Sequence, residues 1–164
     1  MKPAGMLLAV LWLTSSLLFA QAPTQNAPPP KPSEDYSGMY TFLRDGEFVQ
    51  LNLEDEGRVT GFVSRYGEAE SDQGAFLEQF FKQGKLEGKK LTFGTETVHG
   101  VWYEFKGTVE RGEGKNVGDD SYYVLKGTLK QFTSAADKKT SSKSREVVFK
   151  AFPQDLGADP AKPQ

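Results

Sequence analysis

Proline is confined to the two ends of this 164-residue chain, with Pro32 the last of one group and Pro153 the first of the other. Every residue between them keeps its backbone N–H. A sheet needs those donors for its ladders and tolerates proline only at edges and bulges. The proline-free interval is therefore where a β-rich domain can form, and its apolar residues recur there with period two. Val49, Leu51 and Leu53 alternate with Gln50 and Asn52. Val101, Tyr103, Phe105, Gly107 and Val109 alternate with Trp102, Glu104, Lys106 and Thr108. Tyr123, Leu125, Gly127 and Leu129 alternate with Val124, Lys126, Thr128 and Lys130. Each run sends one face to a core and the other to water.

Glycine-bearing links punctuate the runs at Asp45-Gly46, Glu56-Gly57, Gly88-Lys89 and His99-Gly100. Asp-Gly between two alternating runs is a strong hairpin signal. The pattern predicts eight strands, over about residues 37–44, 47–54, 57–65, 80–88, 89–97, 100–111, 120–132 and 144–152. Short links make successive strands antiparallel neighbours. A twisted meander of that size closes on itself and so removes its edges.

The stretch Asp72–Phe80 breaks the rhythm. Asp72 suits a helix cap, and Phe76, Leu77 and Phe80 fall on one side, which predicts one short helix over residues 72–80 across a barrel end. Gly61, Gly84, Gly107 and Gly127 sit mid-strand, where glycine weakens a sheet unless space is needed. Sharp coiling of a small barrel is the preferred reason, with room for a ligand as the alternative. The outward face carries Gln50, Lys82, Glu104, Lys106, Lys126, Lys130 and Lys150. Charge of that density against lipid would cost several kcal/mol, so a soluble barrel is expected and not a membrane one.

The ends read differently. Lys2 precedes an apolar run from Met6 to Leu13 that resumes at Leu17, and Ala20-Gln21-Ala22 fits a signal cleavage site. Residues 1–22 are thus predicted to be a secretory signal, cut after Ala20 or Ala22, which places the protein in the periplasm or outside the cell and leaves no membrane span in the mature chain. Residues 23–35 form a Pro-rich linker and 154–164 a polar tail, both expected to be disordered, around a domain over residues 36–153.

Composition removes several chemistries. The absence of cysteine rules out a disulfide framework, a thiolate metal site and a cysteine nucleophile. Twenty basic against 22 acidic residues give no excess to neutralise phosphates, so nucleic acid is not an expected partner. His99 is the one histidine and sits in a turn; a metal site would need Glu96 or Glu104 beside it, and a solvent-facing turn residue is the simpler reading. Acidic groups at Glu54-Asp55-Glu56, Glu68, Glu70, Asp72 and Asp119-Asp120 fit loop chemistry better than calcium or a glycosidase pair. No catalytic residue, metal or cofactor is assigned, and a carboxylate-based hydrolase ranks last among the functions considered.

Gly38-Met39-Tyr40 resembles the Gly-x-aromatic opening of lipocalin-like and avidin-like barrels. The chain departs from that pattern in lacking a tryptophan in the strand, a lipocalin-type Thr-Asp-Tyr motif and a recognisable set of biotin ligands. The strand pattern predicts an all-β, eight-stranded antiparallel up-and-down (lipocalin/avidin-like) barrel. Its aromatic-rich inward face with four interior glycines, and by analogy this resemblance, point to one that binds something non-covalently. A small apolar molecule would enter at a barrel mouth, with Tyr40, Phe42, Phe93, Tyr103, Phe105 and Tyr123 as lining residues. The other reading is a structural or protein-interaction module that contacts an envelope protein through Trp102. Phe62, Phe80, Phe81 and Tyr122, expected off the main core face, would form a satellite core or extend that patch.

Overall fold

The computed structural model of the protein describes residues 34–68, 72–134 and 139–154, so the expected signal, most of the linker and most of the tail lie outside the described residues. Eight strands follow in chain order: β1 (Gly38–Thr41), β2 (Phe48–Leu53), β3 (Val59–Tyr66), β4 (Phe76–Glu87), β5 (Lys90–Thr95), β6 (Val101–Arg111), β7 (Tyr123–Ser134) and β8 (Thr140–Lys150). Each pairs antiparallel with the next in a single sheet. The expected up-and-down meander is what forms.

The sheet curls until its first and last strands meet at one corner. Tyr40 and Ala151 form a β-bridge there. The Phe152 N–H donates to the Met39 carbonyl at 2.8 Å, and the Lys150 N–H donates to Thr41 Oγ1 at 2.9 Å. Because β1 has four residues and β8 eleven, the seam covers only one end of β8. Among the described residues, no ladder pairs the outer edge of β8 from Thr140 to Val148.

Alternation fills the inside. Val49, Leu51, Val63, Leu91, Leu125 and Leu129 are buried. A run of rings joins Phe81 to Phe93 (4.4 Å between centroids), Phe93 to Phe105 (5.1 Å), Phe105 to Phe149 (5.9 Å), Phe149 to Phe42 (5.2 Å) and Phe42 to Tyr103 (5.3 Å). Phe81 therefore belongs to the core, against expectation. A bulge between Phe81 and Gln83 shifts the register of β4, so both Phe81 before it and Leu86 after it pack inward.

The helix expected over residues 72–80 does not form. Residues 72–74 make a turn, closed by the Ala75 N–H on the Asp72 carbonyl at 2.9 Å, and β4 begins at Phe76. A spacing of four residues satisfies both periods, so Phe76 and Phe80 share a strand face as readily as a helix face. On the strand they meet Tyr66 (4.4 Å) and Phe62 (5.6 Å) across β3. A ladder with cross-strand rings outweighs two turns of helix, which are marginal alone. β7 and β8 also run past the expected strand limits at 132 and 144, because their ladder continues to Ser134 and Thr140. Both faces of that extension meet water, so no apolar alternation marks it in the sequence.

Gly107 and Gly127 face each other across β6 and β7. A Cβ on Gly107 would lie 2.3 Å from the Lys126 carbonyl oxygen, and one on Gly127 would lie 2.4 Å from that of Lys106. Backbone, not a cavity, occupies that space, as tight coiling requires. Gly127→Val should therefore cost about 1–3 kcal/mol or more by overpacking, measured as a lower urea midpoint with the far-UV spectrum retained.

Burial pushes the Tyr103 phenol up to about 12, and raises Tyr36 and Tyr40 further. Unfolded tyrosine ionises near 10. Between about pH 10 and 12 the unfolded chain therefore holds fewer protons than the folded one, and stability falls as pH rises. In an alkaline titration these phenols should ionise together with loss of near-UV dichroism; gradual ionisation of all tyrosines near pH 10 without unfolding would contradict this burial.

Candidate functional site

The interior is apolar over most of its length and polar at one end, where β3 finishes and β4 begins. Glu47, Arg65, Gln79 and Thr95 are all buried there. Alternation places them: Arg65 lies two residues beyond the buried Val63, and Gln79 lies between the inward Leu77 and Phe81. Arg65 Nε donates to Gln79 Oε1 at 2.6 Å, and Nη1 donates to the Tyr66 carbonyl at 3.1 Å. Gln79 Nε2 donates to the carbonyls of Val101 (2.8 Å) and Glu96 (3.1 Å), which ties β4 to the turn before β6. The Tyr103 N–H donates to Thr95 Oγ1 at 3.0 Å.

Glu47 closes the same end from the β1–β2 link. Its carboxylate accepts the Tyr66 N–H at 3.0 Å, the Arg44 N–H at 3.1 Å and Arg44 Nε at 2.9 Å. Arg145, inward on β8 opposite Leu129, sends Nη2 to Gln131 Oε1 at 3.1 Å. Its Nε is buried without a hydrogen-bond partner. Tyr103 stands between these groups: it is paired with Gln131 on β7, and the Arg65 guanidinium carbon lies 6.0 Å from its ring centroid. Burial does most to raise its phenol; Arg65 and Arg145 oppose the rise, while Glu68 and Glu47 add to it.

The six aromatic residues expected to line one mouth divide. Phe42, Phe93, Tyr103 and Phe105 share the continuous run of rings. Tyr40 and Tyr123 lie together at the other end, where Tyr40 Oη donates to the Tyr36 carbonyl at 2.7 Å and Tyr36 packs edge-on to Tyr123 at 4.9 Å. Trp102 is half-buried on the outer face, stacked on its cross-strand partner Phe132 at 4.9 Å. It lies beside a groove of about 430 Å³ that includes Lys82, Gln83 and Glu104. A larger outer groove of about 800 Å³ has Gln83, Lys85, Glu104, Lys106, Lys130 and Ser144 in its walls.

His99 does occupy a turn, with φ 50°. Its Nδ1 lies 2.5 Å from Asp72 Oδ2, so its partner is neither Glu96 nor Glu104. Among the described residues, no three His, Asp or Glu side chains gather as a metal site. Asp119 serves its own loop, accepting the N–H groups of Lys115 (3.0 Å) and Asn116 (2.8 Å). The buried Arg65, Gln79 and Glu47 and the inward Arg145 escaped the sequence reading. Their signal was parity with Val63, Leu77 or Phe149 on the same strand, or closure of the Asp45-Gly46 turn.

No protein-family model matches the chain, and no curated protein matches it by sequence. Among solved structures it is similar to rhizavidin, with a TM-score of 0.52 and 11% identity over 77% of this chain and 89% of that one. The rhizavidin–biotin complex aligns with a TM-score of 0.52 and 10% identity, over 73% of this chain and 95% of that one. Apo short afifavidin gives 0.50 and 14%, over 70% and 94%. The fold is avidin-like. Within that avidin-like barrel, the polar end is built from this chain's own pattern of inward Arg, Gln and Glu.

Replacing Glu47 by Ala would strand the Tyr66 N–H and unlatch Arg44. A loss of about 1–3 kcal/mol is expected from orphaning a buried donor, read as a lower denaturant midpoint than for Arg44→Ala, whose own side chain is half exposed.

Proposed function

We propose that the protein is a non-catalytic binding protein that holds a small molecule at the polar end of the barrel. One observation carries the reading: Arg65, Gln79 and Tyr103 are buried and inward-facing at one end of an otherwise apolar interior. Burying a guanidinium is costly, and well-packed apolar residues commonly stabilise such positions better. A recognition role accounts for what stability alone does not. The avidin-like fold supports the reading, since rhizavidin and short afifavidin each have a structure described as a biotin complex. The apolar part of the ligand would lie against Phe42 and Tyr103, with Phe93 and Phe105 behind them. Tyr40 and Tyr123, at the opposite end, fall outside this position.

Residues 1–22 support export of this barrel to the periplasm or beyond the cell. Native mass spectrometry of the protein purified from its own host tests the binding role. A small molecule should travel with the wild-type chain and be lost from Tyr103→Ala; a bare chain in both preparations would count against it.

A second reading keeps the outer face as a protein contact. Phe76 and Phe80 are 50% and 51% exposed, and Phe48, Phe62 and Phe80 form a ladder of rings across β2, β3 and β4. Trp102 and Phe132 add a second aromatic pair. Sedimentation with envelope extract should then shift for wild type and less for Trp102→Ala and Phe80→Ser; equal behaviour of all three would exclude this surface.

A further inference from the structure

We propose that the ligand carries a carboxylate and that Arg145 receives it, beside the buried Arg65. The proposal rests on the binding role above and narrows it to one chemical class. The two interior guanidinium groups have only neutral acceptors among the described residues: Gln79 Oε1 and the Tyr66 carbonyl for Arg65, and Gln131 Oε1 for Arg145. Neither guanidinium forms an ion pair with a carboxylate among the described residues. Glu47 is taken by Arg44 at 2.8 Å, Asp72 contacts His99, and Glu68 is exposed to water. Both guanidinium groups face Tyr103: the Arg65 guanidinium carbon lies 6.0 Å from its ring centroid, and Arg145 bonds Gln131, the cross-strand partner of Tyr103. Two like charges thus stand at one end of a low-dielectric interior.

The unpartnered Arg145 Nε decides which group receives the anion. Nε and Nη2 lie along one edge of a guanidinium, and that edge matches the two oxygens of a carboxylate. Nη2 already shows the direction of approach through its bond to the Gln131 amide oxygen, which a ligand carboxylate would replace. Access fits the fold as well. Arg145 lies on the part of β8 whose outer edge has no ladder partner among the described residues, and on the same inward face as Phe149, which packs on Phe42. The ligand implied is a small organic acid with an apolar body: its charge on Arg145, its body against Phe42.

Calorimetric titration of the full chain with octanoate and with the isosteric, uncharged octanamide tests this. Octanoate should bind about 10-fold more tightly or better, as a charge-assisted bidentate contact implies. Arg145→Gln should remove that preference while octanamide affinity stays within about 2-fold. Arg145→Lys, which keeps the charge and loses the Nε edge, should fall between them, and it carries the test if the Gln variant does not fold. Equal binding of both probes to wild type would overturn the carboxylate assignment and leave the binding role standing. Binding of neither would overturn both. A preference for octanoate that survives Arg145→Gln would move the anion site away from Arg145 and overturn the proposal.

Discussion

The corner where β1 meets the end of β8 is the constraint on which the rest depends. A meander of eight strands has a hydrophobic face with nowhere to go until the sheet curls and meets itself. Here a bridge between Tyr40 and Ala151 and the Phe152-to-Met39 hydrogen bond bring the two edge strands together. Once that corner is made, Phe149 on β8 comes within ring contact of Phe42, just beyond β1, and of Phe105 on β6. Rings from distant parts of the sequence then share one core. No disulfide is available to help, so closure rests on backbone hydrogen bonds and on the apolar surface they allow to be buried.

Closure at one end and openness along the rest of β8 also explain why the two ends differ. At the closed corner the tyrosines satisfy one another: Tyr40 reaches the Tyr36 carbonyl and Tyr36 packs on Tyr123. At the far end, charged side chains point inward and are held by neighbouring amides and carbonyls. Arg65 through Gln79, and Gln79 through the carbonyls of Val101 and Glu96, link β3, β4 and the turn before β6 into one network. Fully bonded buried networks of this type rigidify what they connect. The polar end is thus a defined surface, with Arg145 Nε its one buried side-chain polar atom lacking a partner among the described residues.

How much of this was legible in the sequence depended on whether two physical signals agreed. Where alternation was clean, as in Val101–Val109, strand and inward face both followed from period two; over Tyr123–Leu129 the strand followed, but Val124 is buried beside Leu125. Where spacing was compatible with two periods, as for Phe76 and Phe80, tertiary pairing with Tyr66 and Phe62 decided, and no local pattern could. Where both faces were wet, as from Thr140 to Ser144, the ladder ran on without an apolar mark. The site was hardest. An arginine two places past a buried valine reads as the end of a strand, because charge on a core face is costly everywhere except where a partner waits for it.

The outer edge of β8 has one more consequence. A strand whose peptide groups face outward without a ladder is a template on which another extended chain can grow. Along its open stretch the side chains include Lys143, Arg145 and Glu146, with serine at 141, 142 and 144. A parallel, in-register pairing of two such edges would set Lys143, Arg145 and Glu146 each opposite its like, which disfavours that pairing. Charge on this stretch thus acts against its growth as a template, although the seam with β1 leaves it unsewn.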